Sequence, residues 1–204
     1  MSITVVTPWH GHLEFAKDYW AAMHAAGARV LVIDNGSVPR LPNAVRLEDN
    51  AGFSRASNLG LDLVPTDKVL FLNNDIGATS ADWLARLEEA MGPGVLVGAE
   101  LRYSPHGHVG GEPMPYLDGW CVGGMTEDIR DIGGWDEDYL EPAYYGDNDL
   151  SLRARAAGMT LREVRCGLVH KRNGTARDMD VTEASLANRE RFQQVAAEIL
   201  GVAA

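Results

Sequence analysis

Short apolar runs alternate with longer amphipathic segments along the first hundred residues. The apolar runs are rich in β-branched and aromatic side chains and have the length of buried strands; they cover residues 3–6, 29–33, 44–47, 69–72 and 95–99. The segments between them carry apolar residues at helical spacing and cover residues 13–26, 54–63 and 80–91, with Ser80 as the expected N-cap of the last. This alternation predicts an α/β fold, in which helices cover both faces of a mostly parallel sheet.

The pattern is less regular after residue 100. Residues 103–116 are rich in Gly, Pro and His and are typical of a loop, and residues 117–125 are strand-like in part. Helical character returns over residues 150–157 and, in a longer amphipathic segment, over residues 181–200. Two short strands are expected between these helices, at residues 160–164 and 167–169.

Three of the predicted strands end in polar residues. The first ends at Thr7-Pro8, the second at residues 34–37 (DNGS), and the fourth at residues 73–75 (NND). Parallel strands place their carboxyl ends at one edge of the sheet, where open α/β folds bind ligands. Asn and Asp are also turn-forming residues, so each end by itself also fits a simple turn. Three such ends together favour a binding crevice.

The charge of the chain excludes some ligands. The 204 residues carry a formal net charge of −11, which argues against a general nucleic-acid-binding protein. Residues 1–150 have 9 basic and 23 acidic residues, whereas residues 151–204 have 9 and 6. An acidic body of this kind can hold a small anion, or an anion bound through a cation. No apolar run approaches the roughly 20 residues of a membrane span, and no signal-peptide pattern opens the sequence, so we expect no transmembrane segment and a cytoplasmic location.

Five segments in a fixed order carry a family resemblance. They are VIDNGS (32–37), NAGFSRASNLG (50–60), FLNND (71–75), GGWDEDYLEPAYYGDNDLSLRARAAG (133–158) and VHKRNGT (169–175). Together they resemble the family 2 glycosyltransferases of the GT-A fold, in particular the rhamnosyl- and galactofuranosyl-transferase-like subset with an LNND metal motif. The resemblance implies a three-layer sandwich with a mostly parallel central sheet. It also implies one domain over residues 1–204, with a nucleotide-binding half (1–100), an acceptor and catalytic half (101–176) and a C-terminal helix (177–204).

The resemblance implies a nucleotide site at the strand ends. In it, Asp34 accepts the imide N–H of uracil or thymine, although an Asx-turn explains the same residue equally well. Relatives place an arginine directly before the asparagine that is Asn58 here, whereas this chain has Ser57, and Arg55 is the nearest substitute. The implied nucleotide-binding residues are Thr7, Pro8, Asp34, Asn50, Gly52, Arg55, Asn58, Asn74, Lys171 and Arg172.

The resemblance also implies a metal site. Asp75, the last acid of the LNND motif, and His170 would hold Mn²⁺ or Mg²⁺, which would bind the donor diphosphate. Oxygen ligands suit both ions, and imidazole suits the transition metals. A histidine on a strand is more often structural, and that alternative stays open for His170.

The catalytic base implied by the resemblance is Asp147. It lies at the start of a predicted helix, where the dipole favours the ionised carboxylate, but it also fits a helix N-cap. Relatives commonly read Glu-Asp-X-Asp here, whereas this chain has Gly146 in place of the Glu. Acceptor contacts are implied for Asp118, Trp120 and Asp149. Trp120 also fits a core position, and Asp149 also fits an i, i+4 ion pair with Arg153.

The function that the resemblance implies is sugar transfer with inversion. A hexosyl-type group would pass from a UDP- or dTDP-linked donor to a hydroxyl of a glycan, small molecule or protein, and the last helix offers a surface for a homodimer. Two alternatives remain open. The lost Glu at position 146 keeps open a non-catalytic nucleotide-sugar-binding module. A sugar-phosphate nucleotidyltransferase is less favoured, because residues 7–15 (TPWHGHLEF) lack the Gly-rich basic loop it needs.

Overall fold

The computed structural model describes residues 2–103, 114–141, 144–171 and 182–201. Within these ranges the strands are β1 (Ile3–Trp9), β2 (Arg29–Asn35), β3 (Val45–Leu47), β4 (Lys68–Leu72), β5 (Ile76–Ala78), β6 (Val95–Gly98), β7 (Leu101–Tyr103), β8 (Pro115–Leu117), β9 (Cys121–Met125), β10 (Thr160–Glu163) and β11 (Leu168–His170). The helices are α1 (Ala16–Ala25), α2 (Phe53–Leu63), α3 (Trp83–Ala90), α4 (Thr126–Asp131), α5 (Gly146–Ala156) and α6 (Thr182–Leu200), with a 3-10 turn at Leu13–Phe15 before α1.

The central sheet has seven strands in the order β10-β6-β9-β4-β1-β2-β3. All neighbours in it are parallel except at β9, which is antiparallel to both β4 and β6. Two small antiparallel sheets lie beside it, one formed by β5 and β11 and the other by β7 and β8. The predicted α/β class with a mostly parallel sheet is therefore confirmed.

Alternation along the central strands divides the core into two layers. Val5 and Leu70 point to the face covered by α1 and α3, where they join a cluster that includes Trp83. Val6 and Phe71, the next residue along each strand, belong to the opposite cluster, which α2 and α5 cover. Successive strand residues point to opposite faces, so an unbroken apolar run is what a sheet covered on both sides requires.

Several element boundaries differ from the sequence prediction: β2 continues to Asn35, and α5 begins at Gly146 and not at residue 150. The first strand does not stop at Thr7-Pro8 but pairs with β2 as far as Trp9. The third long helix is not capped by Ser80. It begins at Trp83 with Asp82 as its N-cap, and the Ser80 hydroxyl bonds to the Asp82 carboxylate instead. Elements β5, β7, β8 and α4 were not predicted, and β8 begins within the stretch predicted to be a loop, because three to six residues are too few to display a periodicity.

Helix α6 packs against α5 and against the segment that precedes α5. Its buried residues are Asn188, Phe192, Ala196 and Ala197. The homodimer predicted for this helix stays a prediction. Across the described ranges, no helix combines the length and apolar character of a membrane span. Both cysteines, Cys121 and Cys166, are buried free thiols.

Candidate active site

A cleft of about 1010 Å³ opens at the carboxyl ends of β1, β2 and β4. The register of β9 against β4 pairs Cys121 with Leu72, so residues 118–120 lie at the same edge as residues 73–75. Of the sequence-predicted residues, those that line the cleft are Pro8, Asn50, Gly52, Asn74, Asp75, Asp118, Trp120, Asp147 and His170. The structure thus brings together residues that lie up to 162 positions apart in the sequence, from Pro8 to His170.

One end of the cleft is shaped by the Asn35 side chain. Its Nδ2 donates to Asn50 Oδ1 at 2.9 Å and to the Gly52 carbonyl at 3.0 Å, and its Oδ1 accepts from the Ala51 N–H at 2.8 Å. Gly52 follows at φ 87° as the N-cap of α2, a conformation that favours glycine. The turn over residues 50–52 therefore has a fixed shape at the N-terminus of α2. Asn35 itself was not predicted as a site residue.

Asp34 and Thr7 lie beneath this end and do not line it. The Ser37 N–H donates to Asp34 Oδ1 at 2.9 Å, and Arg46 Nη1 donates to Oδ2 at 2.6 Å. Burial opposes ionisation of Asp34, but its hydrogen bonds with Leu41, Ser37 and Arg46 outweigh that effect and lower its pKa. The Thr7 hydroxyl bonds to the buried Tyr19 hydroxyl at 2.6 Å. The Asp34 carboxylate thus closes the turn after β2, which is the second of the two interpretations.

Three more predicted nucleotide-binding residues lie away from the cleft wall. Arg55 is exposed on α2. Asn58 joins α2 to the turn at Trp135, donating to its carbonyl at 2.7 Å and accepting from its N–H at 2.9 Å. Lys171 forms an ion pair with Asp18 of α1. Arg172 lies outside the described residues.

The two predicted metal ligands meet on the floor of the cleft. Asp75 is 1% exposed at the end of the turn after β4, and its Oδ1 lies 3.1 Å from Nε2 of His170. The pairing of β5 with β11 sets this distance, because it places His170 opposite Ile76, and the Lys171 N–H donates to the Asp75 carbonyl at 2.9 Å. The donor set, one carboxylate and one imidazole, fits Mn²⁺ better than Mg²⁺, which prefers oxygen ligands.

This pair supplies two ligands, fewer than such an ion needs. No group of three or more His, Cys, Asp or Glu side chains suited to a metal occurs among the residues that the structure describes. Any remaining ligands would therefore come from water and from a bound anion, as Mg²⁺ and Mn²⁺ sites on nucleotides commonly use phosphate oxygens.

Trp120 lines the cleft next to the predicted metal ligand His170. Its ring stacks on the His170 imidazole, with centroids 5.0 Å apart and planes inclined by 11°, and only 5% of its surface is exposed. Its Nε1 donates to Glu100 Oε2 at 3.4 Å. Of the two roles considered for Trp120, burial against His170 is the one that this geometry displays.

Asp147 lies in the first turn of α5, beside the loop that leads into β9. The Gly119 N–H donates to its Oδ2 at 3.0 Å, and the Asn148 N–H donates to its Oδ1 at 3.0 Å. Burial, reinforced by the negative charge of Asp118, raises the pKa of Asp147 to about 6. Tyr145, and not Asp147, is the N-cap of α5. A carboxylate with this pKa is ionised at neutral pH and still accepts a proton readily, as a general base must.

Asp118 faces the same part of the cleft. Its Oδ2 lies 2.8 Å from Nε of Arg102, whose Nη2 also donates to Glu100 at 2.9 Å. Burial raises the pKa of Asp118, and the Arg102 charge offsets part of that rise. Arg102, on β7, was not predicted, since its strand is too short to be recognised in the sequence.

Asp149 lies behind the cleft, and we expect its loss to affect stability. It is fully buried, and Arg153 Nε donates to its Oδ2 at 2.7 Å, while the same guanidinium bonds to the carbonyls of Ile132 and Gly134. Asp149→Ala leaves this guanidinium without its anion and should lower the free energy of unfolding by about 3 kcal/mol. Urea denaturation measures the change. The exposed Asp62→Ala serves as the control, and equal stability of the two variants would contradict the assignment.

Glu141 is a third site residue, after Asn35 and Arg102, that sequence reasoning missed. It lines the cleft, and its Oε1 accepts from the Ser54 N–H at 2.9 Å, next to the N-cap of α2. Ser54 also borders Gly146, because a Cβ added there would lie 3.7 Å from Ser54 Oγ. A carboxylate from the preceding loop therefore lies near Gly146, the position at which the resemblance leads us to expect a Glu. No local pattern marks Glu141, since its partner is 87 residues away.

The fold has close counterparts among solved structures, although no protein-family model and no curated protein sequence matches this chain. A mannosyltransferase of Pyrobaculum calidifontis, solved with GDP-Man and Mn²⁺, superposes with a TM-score of 0.64 at 14% identity, over 98% of this chain and 74% of that one. GalNAc-T7, solved with UDP, GalNAc and Mn²⁺, gives 0.69 at 12% identity, over 97% of this chain and 48% of that one. This chain has the GT-A glycosyltransferase fold.

A third GT-A structure agrees with this assignment. The Drosophila β1,4-galactosyltransferase 7, solved with xylobiose, has a TM-score of 0.60 at 16% identity, over 94% of this chain and 79% of that one. The GT-A core common to these proteins takes up most of this chain, whereas it takes up only about half of GalNAc-T7. The predicted three-layer GT-A sandwich is thus confirmed as the fold.

Proposed function

We propose that this protein is a metal-dependent, inverting glycosyltransferase of the family 2 type, acting on a nucleoside-diphosphate sugar. The observation that carries the proposal is the meeting, in one cleft, of the Asp75–His170 pair with a carboxylate, Asp147, whose pKa is about 6. The GT-A fold supports it, because two of the neighbouring proteins were solved with a nucleotide or nucleotide sugar and Mn²⁺.

The nucleoside of the donor, UDP- or dTDP-linked, binds where the cleft is lined by Pro8, Asn35 and the turn over residues 50–52. Asn35 holds this turn in shape through its bonds to Asn50 and Gly52. Asn74 lies between this end and the metal ligands and contacts the ribose or the sugar. Asp34 acts indirectly in this arrangement, by fixing the turn after β2.

Asp75 and His170 hold the ion. When bound, Mn²⁺ would neutralise the donor diphosphate and stabilise the charge that develops on it as the sugar departs. Trp120 keeps the His170 ring in place through the stack between them. Because the body of the protein is acidic, we expect the diphosphate to bind poorly without the cation.

Asp147 is the catalytic base. The acceptor hydroxyl oxygen attacks the anomeric carbon and forms the new glycosidic bond as the bond from that carbon to the diphosphate oxygen breaks. The hydroxyl proton passes to the Asp147 carboxylate, and attack opposite the leaving group inverts the anomeric centre. The Gly119 N–H holds Oδ2 of the base in place, and Asp118 faces the acceptor.

The test is turnover of UDP-, dTDP- and GDP-linked sugars with Mn²⁺, followed as release of nucleoside diphosphate from pH 5 to pH 9. Because Asp147 accepts a proton only when ionised, kcat/KM should rise as the pH passes about 6 and then level off. Binding of the diphosphate with Mn²⁺, titrated at the same pH values, separates this limb from weakened donor binding. A profile that is flat from pH 5 to pH 8 would rule out Asp147 as the base.

A further inference from the structure

The segment from residue 136 to residue 145, of which residues 136–141 and 144–145 are described, contributes one wall of the cleft and precedes Gly146 and Asp147. Its described residues contain no helix and no strand, so backbone hydrogen bonds of regular structure do not hold it. Seven residues of the cleft wall come from this segment or its end: Glu137, Asp138, Tyr139, Leu140, Glu141, Tyr144 and Tyr145. The position of this wall therefore depends on side chains from other elements.

Asn188 of α6 ties the segment together. Its side chain is 1% exposed, and its Oδ1 accepts from the Leu140 N–H at 2.8 Å. Its Nδ2 donates to the Leu140 carbonyl at 2.9 Å and to the Tyr144 carbonyl at 3.0 Å. Both amide hydrogens and the oxygen are thus used, and all three bonds go to the backbone of two residues of this wall, Leu140 and Tyr144.

Two neighbours of Asn188 on the same face of α6 hold the rest of the segment. Arg191 Nη2 donates to Asp136 at 2.8 Å and to Asp138 at 2.9 Å, and its guanidinium lies 5.3 Å from the Tyr139 ring centroid. The Phe192 ring packs 5.7 Å from the Tyr145 ring. Residues spaced by three and four in a helix share one face, so α6 contacts the segment along its length.

The segment ends in a backbone conformation that needs support. Tyr145 has a φ of 87°, in the left-handed region that a side chain with a Cβ disfavours. Such residues persist where the surrounding structure holds them. Tyr145 is the N-cap of α5, and its carbonyl accepts the Asp149 N–H at 2.9 Å, so its conformation sets where the helix begins. Asp147 lies two residues further on.

We propose that Asn188 is a positioning residue for Asp147. By fixing Leu140 and Tyr144, it sets the start of α5 and thereby holds the Asp147 carboxylate against the Gly119 N–H. This inference rests on the proposed function, because it takes Asp147 as the base. It assigns a catalytic consequence to a helix that lies outside every motif of the sequence.

The variant that tests this is Asn188→Asp, with Gln194→Glu as the matched control. The aspartate keeps the shape and the acceptor for the Leu140 N–H, but it loses both donors and faces two carbonyl oxygens. Gln194 undergoes the same amide-to-carboxylate change at an exposed position of the same helix. We expect kcat to fall by about 10- to 100-fold in Asn188→Asp, since small displacements of a catalytic group have effects of this size. The affinity for the diphosphate with Mn²⁺ should stay within about twofold, because the donor end of the cleft is unchanged.

Hydrogen exchange provides a readout that does not depend on turnover. Although the aspartate can still accept the Leu140 N–H, its repulsion from the Leu140 and Tyr144 carbonyls should open the segment, so the Leu140 amide should exchange faster in Asn188→Asp and at the wild-type rate in Gln194→Glu. If Asn188→Asp does not fold, Arg191→Gln takes its place, with the same pattern and a smaller loss of kcat. Wild-type kcat in a folded variant with a loosened Leu140 amide overturns the proposal and leaves the proposed function intact. Absence of turnover in the wild type overturns the proposed function instead.

Discussion

Asp147→Asn should abolish sugar transfer and leave the rest of the protein intact. Loss of a general base typically costs about 10²- to 10⁴-fold in rate, and we expect kcat to fall within this range. The asparagine oxygen can still accept the Gly119 N–H, and the loss is limited to the bond from the adjacent Asn148 N–H. Affinity for the nucleoside diphosphate with Mn²⁺ should not change, because Asp75 and His170 are untouched. Steady-state kinetics and calorimetry on the same preparation measure both quantities.

Asp147→Asn should lower activity without lowering stability at alkaline pH. The pKa of Asp147 rises from 3.8 to about 6 on folding, so the folded protein binds the proton more tightly than the unfolded chain. The contribution of this carboxyl to stability is therefore complete below pH 4 and is lost as the pH rises to about 6. Above that pH the ionised carboxylate lowers the free energy of unfolding by about 2 kcal/mol. The effect is smaller than for a fully buried group, because the Asp147 side chain is partly exposed in the cleft. Asp147→Asn removes this cost, so at pH 8 it should be at least as stable as the wild type.

These two outcomes separate a catalytic residue from a structural one. A residue needed only for packing would lower stability when it is replaced, and activity would fall in proportion to the folded fraction. Asp147→Asn should instead give a stable, donor-binding, inactive protein. A variant that transfers sugar at more than about a tenth of the wild-type rate would contradict the assignment.

Asp75→Asn should remove the dependence of nucleotide binding on the metal. The neutral amide keeps the size of the side chain but gives up the negative charge that, with His170, would hold a divalent ion. We expect the affinity for the diphosphate in Mn²⁺ to fall at least 100-fold, a difference of about 2.7 kcal/mol. Asp67→Asn is the matched control, because Asp67 is exposed just before the opposite end of β4. Titration calorimetry of both variants measures the effect.

A Mn²⁺ signal helps to interpret that result. Electron paramagnetic resonance of Mn²⁺ distinguishes loss of the ion from loss of the nucleotide. If Asp75→Asn binds the diphosphate as well as the wild type does, and still in a Mn²⁺-dependent manner, then the ion is held elsewhere and the metal site is wrongly assigned. Asp75→Asn keeps the backbone carbonyl that accepts the Lys171 N–H, so the variant tests the side-chain carboxylate alone.

The sequence predicted those parts of the fold and site that depend on local pattern. The long apolar runs became β1, β2 and β4, and the polar residues that follow β4 line the cleft. Asp75 and His170, which are 95 residues apart, were placed in one site on the resemblance, and the structure puts them 3.1 Å from each other. Parallel strand ends converge at one edge, which is why the cleft position could be predicted, whereas the Asp75–His170 contact depends on the antiparallel pairing of β5 with β11.

The roles of single polar residues could not be predicted, because each depends on a partner distant in the sequence. Asn58 belongs to a recognisable motif, yet its amide holds Trp135, 77 residues away. The Asp34 carboxylate is taken up by Arg46 and two backbone N–H groups, so it does not reach the cleft. Asn188 was one polar residue on an amphipathic helix, and only the folded chain shows that it faces Leu140 and Tyr144. A buried polar group takes whichever partner the tertiary structure offers.

The most direct measurement is calorimetric titration of the wild-type protein with UDP, dTDP and GDP, each in the presence and absence of Mn²⁺. A nucleoside-diphosphate-sugar transferase with its metal on Asp75 and His170 should bind one of the three diphosphates in Mn²⁺ and bind it much more weakly, or not at all, without the ion. The base of that diphosphate then identifies the donor class. Failure of all three to bind in either condition would contradict the glycosyltransferase assignment.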